Sequence, residues 1–169
     1  MDRRRFCMGV MPLAVAARAG AAQLPRPSLD LSITFPGKPA APLSRYKGKV
    51  IAVEFLLTTC PHCQKASQAI ERVYRALGPK GFQPVGLAIN PEADVAAYAA
   101  QFNLSFPVGT IAHDKCSEYM QHPSFLRLLM PQLAFVDRKF MVRKQFAGDS
   151  PFFSEKEEDN VRAEVTALL

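Results

Sequence analysis

Beyond its first 21 residues, the sequence has no membrane-spanning run, no internal repeat and no low-complexity tract. It also has little net charge there: without the four Arg and one Asp of residues 1–21, 17 basic and 14 acidic residues remain, a balance of +3. Such a balance gives no indication of a nucleic-acid partner. The remaining 148 residues are enough for one α/β domain with its own core and too few for two.

Residues 1–21 have the features of a signal peptide. A basic start, Arg3-Arg4-Arg5, is followed by an uncharged run over 6–17 and by small-residue Ala-x-Ala sites ending at Ala19 and Ala21. The run is shorter than the roughly 18 residues that span a bilayer. The Arg-Arg-Arg-Phe start resembles a twin-arginine signal. We therefore expect an exported, periplasmic or extracytoplasmic protein with a signal peptide over 1–21.

The stretch over 50–63 is the centre of the predicted fold. Residues 50–57 are apolar except for Glu54, which predicts a central parallel strand that is buried on both faces. From Gln64 onward, apolar residues recur at helical spacing as far as Leu77. Cys60 and Cys63 therefore lie where a buried strand gives way to the first turn of an amphipathic helix.

That position favours thiol chemistry. The unpaired N–H groups and partial positive charge of a helix N-terminus stabilise a thiolate, and Cys60 gains most from them. Pro61 suits the first helical position, and a protonated His62 adds positive charge. An easily ionised thiol attacks well and leaves well in disulfide exchange, so Cys60 and Cys63 together can shuttle two electrons.

The rest of the chain alternates strand and helix and then ends in a hairpin and a helix. The patterns predict strands or helices over 82–89, 106–108, 114–121, 132–136 and 141–146. Asn90 is predicted to cap a helix that begins at Pro91, and Ser154 with Glu157 to form a capping box for the last helix. Residues 22–44 are a Pro-rich extension with a short strand, and 45–169 form the domain. This order predicts a mixed sheet with helices on both faces.

From the Lys-Gly-Lys of 47–49 onward, the chain resembles the thioredoxin fold and, within it, the exported TlpA/ResA-like redoxins, over roughly 43–169. The resemblance implies a three-layer α/β/α sandwich and thiol-disulfide oxidoreductase activity. It makes Cys60 the exposed nucleophile and Cys63 the buried resolving thiol. Pro131 would be a cis-proline that, with Met130, contacts substrate. Glu54 corresponds to a buried acid of the family, whose raised pKa lets it exchange a proton with Cys63.

The chain departs from that family at a few positions and leaves the direction of electron flow open. Thr59 replaces a common Trp before the first cysteine, and the whole chain has no Trp. Phe140 replaces a common turn glycine, and Met130 replaces a β-branched residue. Family context favours a reductant, whereas Cys-Pro-His-Cys also occurs in strongly oxidising members of the fold. We expect no cofactor, a monomer, protein thiol or disulfide substrates, and a membrane thiol-disulfide carrier as redox partner.

Two other functions fit parts of the sequence. A peroxiredoxin-type peroxidase has the pattern P-x-x-x-T-x-x-C, but here Val53 and Leu57 occupy the Pro and Thr positions before Cys60. A zinc or copper module would use the Cys-x-x-Cys pair together with His113-x-x-Cys116. Outside such a module, Cys116 is either a small buried hydrophobe or a third redox thiol.

Overall fold

A computed structural model describes residues 22–123 and 125–169. The predicted signal peptide, with Cys7, lies outside the described residues. The strands are β1 (Arg26–Pro27), β2 (Ser32–Ile33), β3 (Ala41–Pro42), β4 (Val50–Leu56), β5 (Phe82–Ala88), β6 (Val108–Thr110), β7 (Gln132–Val136) and β8 (Met141–Phe146). The α-helices are α1 (Pro61–Leu77), α2 (Val95–Gln101), α3 (His113–Met120) and α4 (Glu157–Leu168). Within these described segments, no helix has the length and apolar character needed to cross a membrane.

Six strands form one mixed sheet in the order β1-β8-β7-β4-β5-β6. Strand β4 is central: it pairs in parallel with β5 and antiparallel with β7. Strands β7 and β8 form the antiparallel hairpin that the sequence predicted, with the predicted bounds. The sheet is therefore mixed, as its βαβ and hairpin connections require.

The sheet separates two apolar clusters, because successive side chains of a strand point to opposite faces. One cluster joins the first face to α1, α2 and α4 through Cys63, Ile70, Tyr98 and Val161 among others. The second cluster lies on the other face and includes the Cys116 side of α3. This arrangement confirms the predicted three-layer α/β/α sandwich. In β4, Val50, Ala52 and Leu56 belong to the first cluster.

The N-terminal segment is more integrated than a peripheral hairpin. Strand β1 pairs with β8 at the edge of the main sheet, and β2 pairs with β3. Buried Leu31, Ile33 and Phe35 complete the second cluster. At Gly109 a Cβ atom would lie 2.6 Å from Ile33, so this close approach requires glycine in β6.

Two predicted helix starts are wrong. Helix α2 begins at Val95 rather than Pro91, and the carboxylate of Asp94 caps it by accepting the Ala97 N–H at 2.9 Å. Helix α4 has no capping box, since Lys156 occupies the cap position without a side-chain cap bond. Asn90 and Glu157 are both buried, and Asn90 bonds to Thr58 in the loop before Cys60 instead.

Candidate active site

The cysteine pair lies at the junction of β4 and α1. Cys60 is the N-cap residue of α1, and Pro61 follows in the first turn, which confirms the predicted helix start. The Cys60 Sγ accepts the Cys63 N–H at 3.5 Å. Cys60 is partly exposed, Cys63 is fully buried, and both thiols are free. The pair therefore combines one accessible sulfur with one shielded sulfur.

Asn90 holds the loop that leads to Cys60. Its Oδ1 accepts the Thr58 N–H at 3.1 Å, and its Nδ2 donates to Thr58 Oγ1 at 3.0 Å. Gln64 donates from its side chain to the Thr58 carbonyl at 3.0 Å. A side chain interpreted as a helix cap thus links the end of β5 to the loop after β4. The asparagine pattern was visible in the sequence, but its partner across the sheet was not.

Glu54 is a buried acid beneath the motif. It alternates with Ala52 and Leu56 along β4 and so faces the α1 side, with only 1% of its surface exposed. Both carboxylate oxygens lie within hydrogen-bond distance of Ser67 Oγ, at 3.0 and 2.9 Å. Ser67 Oγ in turn lies 2.9 Å from the Tyr98 hydroxyl. Burial raises the Glu54 pKa to about 8, although the Ser67 bond opposes this shift.

Ser67 and Tyr98 were not identified as site residues from the sequence. Ser67 is a polar residue in the inner stripe of α1, four positions after Cys63, and Tyr98 was assigned to an apolar helix face. In the sequence, the feature that could have indicated this site is a serine inside the apolar stripe of α1. Both groups are buried, and burial raises the pKa of the Tyr98 phenol.

The Cys63 thiol is buried on the same side of the sheet as Glu54. Burial raises the pKa of its thiol strongly, and the charge on Glu54 adds to that effect. Burial on the same face of β4 therefore disfavours the ionised forms of both the Glu54 carboxyl and the Cys63 thiol.

A second buried carboxyl belongs to Glu157, the first residue of α4. It is 3% exposed, and its Oε2 has no hydrogen-bond partner. Burial raises the Glu157 pKa to about 7, and the positive charges of Lys65 and Arg72 on α1 oppose the shift. The Glu157 charge contributes to the raised pKa of Glu54. The pairing of these two acids was not foreseen, because the sequence pattern assigned Glu157 to a cap.

The loop before β7 contains the cis-proline that the resemblance implied. The Met130–Pro131 peptide bond is cis, and partly buried Met130 packs against the same apolar cluster as Cys60. The Leu129 carbonyl accepts the Gly148 N–H at 3.1 Å. A Cβ atom at Gly148 would overlap the Met130 carbonyl, so only glycine allows this approach. His62 lies in the first turn of α1, and its ring packs edge-on against Phe153, with the ring centroids 5.5 Å apart.

The alternative metal site does not form. Cys63 lies in the cluster on one face of the sheet and Cys116 in the cluster on the other. His113 is exposed at the start of α3. In residues 22–123 and 125–169, no group of three or more His, Cys, Asp or Glu side chains is placed to hold a metal ion. The four proposed ligands therefore cannot share one ion.

Comparisons with known proteins agree with this geometry. A family model described as Redoxin matches residues 27–163. A search of curated proteins finds no significant match.

Solved structures with the same fold include three proteins named for thiol-disulfide exchange. A thioredoxin-family thiol:disulfide interchange protein from Chlorobium tepidum TLS is 19% identical, with a TM-score of 0.71 over 88% of this chain and 99% of that one. The thioredoxin domain of a Bacteroides vulgatus thiol-disulfide oxidoreductase is 17% identical, with a TM-score of 0.68 over 87% and 98%. A thiol:disulfide interchange protein from Bacteroides sp. is 18% identical, with a TM-score of 0.68 over 87% and 90%.

At these identities the structural likeness establishes a thioredoxin-like fold, and the family match covers most of the chain. With its paired cysteines at the start of α1, the chain belongs to the Redoxin family and is a thiol-disulfide oxidoreductase.

Proposed function

We propose that this protein is exported and reduces disulfides of other exported proteins through Cys60 and Cys63. The observation that carries the proposal is the pairing of a partly exposed Cys60 with a fully buried Cys63 above the carboxyl of Glu54. An accessible sulfur can meet a large substrate, while a shielded sulfur is reserved for the internal step. The basic start and uncharged run of residues 1–21 support export.

The reaction proceeds by two exchanges. The Cys60 thiolate attacks one sulfur of the substrate disulfide, forms a mixed disulfide, and displaces the other substrate sulfur as a thiolate that takes up a proton. Cys63 then gives its proton to ionised Glu54 and attacks the Cys60 sulfur. The Cys60–Cys63 disulfide forms, the bond between Cys60 and the substrate breaks, and the second substrate sulfur leaves as a thiolate that takes up a proton. Two electrons pass to the substrate, and a membrane thiol-disulfide carrier restores the dithiol.

The reducing direction is supported by the groups around the thiols. A disulfide donor is a strong oxidant because its reduced form is stabilised, commonly as a thiolate. Here burial disfavours ionisation of Cys63, and the neighbouring carboxyl of Glu54 adds to that effect when it is ionised. Ionisation of Cys63 therefore does little to stabilise the dithiol, and this favours the reducing direction.

Trapping tests the substrate class. Replacing Cys63 with Ala leaves the mixed disulfide on Cys60 unresolved, so Cys63→Ala expressed in the exporting host should accumulate adducts with exported proteins. Cys60→Ala with Cys63→Ala is the matched control that removes the attacking sulfur. If the single variant yields no adducts beyond those of the control, the proposed substrate class is wrong.

The redox potential tests the direction. Equilibration of the purified protein with glutathione or dithiothreitol should give a value near the thioredoxin figure of about −270 mV. A value near about −120 mV would instead identify a disulfide donor.

Peroxide reduction is less well supported as the function. Val53 is buried in the second apolar cluster and Leu57 packs against it, so neither supplies the Pro or Thr of the peroxidase pattern beside Cys60. Hydrogen peroxide should therefore oxidise Cys60 no faster than it oxidises a free thiol.

A further inference from the structure

An exposed apolar surface lies in the loop that leads to Met130 and Pro131. In the part of the chain that the structure describes, five large apolar side chains are prominently exposed, and three of them lie in the loop before β7. Phe125 is 85% exposed, Leu126 53% and Leu129 38%. We call these three residues the apolar rim. A cluster of exposed apolar side chains on one short segment is typical of an interaction surface.

The backbone of this loop is held in place at both ends. The Leu126 N–H donates to the Pro123 carbonyl at 3.0 Å, and His122 Nε2 lies 3.2 Å from the Leu126 carbonyl. At the other end, the Leu129 carbonyl accepts the Gly148 N–H and a bond from the Gln132 side chain. The side chains of the rim are therefore presented by an anchored backbone.

The rim is continuous with the site of chemistry. Leu129 is followed by Met130, which packs against the same cluster as Cys60 and precedes Pro131. The exposed sequence neighbours of Cys60, Thr59 and Pro61, are both small. The large exposed apolar side chains of this part of the chain are those of the rim, on the Met130 side.

The apolar character of the rim favours a peptide over a small polar thiol. Residues 121–131 contain one Arg and no Asp or Glu, and the rim itself offers only hydrocarbon and aromatic surface. Such a surface gains free energy by removing apolar side chains of a partner from water. An ordered, folded substrate would keep those side chains in its own core.

We propose that the apolar rim binds apolar side chains next to the reactive cysteine of an extended, unfolded polypeptide, and so selects unfolded exported proteins as substrates. This inference rests on the proposed function of the Cys60–Cys63 pair. It adds a substrate preference that the cysteine motif alone does not provide.

The test compares three disulfides as probes of the reduced protein. Two are dimers of a short synthetic peptide with one central cysteine, flanked by Leu and Phe in the first and by Ser in the second. The third is glutathione disulfide. The variant Phe125→Ser with Leu126→Ser removes most of the exposed rim, and Leu29→Ser, at a 40% exposed leucine of the N-terminal segment, is the matched control.

Wild type and Leu29→Ser should react with the apolar peptide at least about tenfold faster than with the Ser peptide, as burial of one large apolar side chain would give. The rim variant should lose that preference, while its rate with glutathione disulfide stays unchanged. A preference kept by the rim variant, or absent from wild type, would overturn the inference. If wild type reduced none of the three disulfides, the proposed function itself would fail.

The oligomeric state of the protein provides a second test of the inference. Light scattering should give the same monomer mass for wild type and the rim variant. A wild-type dimer that the rim substitutions dissociate would mean that a second copy of the chain covers this surface, which overturns the inference.

Discussion

Replacing Glu54 with Gln is expected to stabilise the dithiol form of the protein increasingly as the pH rises. The carboxyl has a pKa of about 8 in the folded state, against an ordinary value of 4.5. Between these pH values the unfolded chain has released the proton and the folded protein has kept it. Stability contributed by the protonated acid is therefore complete below pH 4.5 and is lost as the pH rises toward 8.

The size of the effect follows from the pKa difference. One pKa unit corresponds to about 1.4 kcal/mol, so wild type should lose roughly 3 kcal/mol of unfolding free energy from this group between pH 4.5 and pH 7. Glu54→Gln has no proton to lose and can still bond to Ser67. The difference in unfolding free energy between Glu54→Gln and wild type should therefore grow by a similar amount between pH 4.5 and pH 7.

Urea unfolding under reducing conditions, at pH values from 4.5 to 8.5, measures this difference. Glu155→Gln removes a carboxylate from an exposed position and controls for the loss of one negative charge. Parallel stability curves for wild type and Glu54→Gln across this range would refute the raised pKa, and with it the proposed role of Glu54 as acceptor of the Cys63 proton.

Three further predictions concern the surroundings of the site. Glu157→Gln should lower the pH at which Glu54 titrates, since the Glu157 charge helps to raise that pKa; an unchanged midpoint in the pH profile of disulfide exchange would contradict this. Cys116→Ser buries a hydroxyl among apolar side chains and should cost about 1–3 kcal/mol in urea unfolding, with the potential of the Cys60–Cys63 pair unchanged. Gly148→Ala places a Cβ against the Met130 carbonyl and should cost about 1–3 kcal/mol; full stability by thermal melting would show that the loop can move aside.

Local pattern predicted the parts of the site that depend on neighbouring residues. The strand over β4, the start of α1 at Pro61 and the β7–β8 hairpin follow from apolar runs, helical spacing and turn residues within short windows. The burial of Glu54 follows as well, because it lies within an otherwise apolar strand. These features need no information from distant parts of the chain.

Contacts between distant segments could not be predicted in this way. Asn90 has the sequence signature of a helix cap, but its amide bonds Thr58, 32 residues earlier. Ser67 and Tyr98 meet across 31 residues, beside an acid on a third element. In each case a local preference competed with a tertiary partner that satisfied the same polar group, and the tertiary partner prevailed because the site is buried.

The same sheet that brings Glu54 to Cys63 also separates Cys63 from Cys116. Cys63 of α1 packs on one face of the sheet, whereas Cys116 of α3 is fully buried on the other face. Burial raises the Cys116 pKa to about 12, so its thiol is both shielded and hard to ionise. A disulfide between Cys116 and either active-site cysteine would have to cross the central sheet. In the folded protein Cys116 is therefore separated from Cys63 and packs as a small apolar side chain of the second cluster.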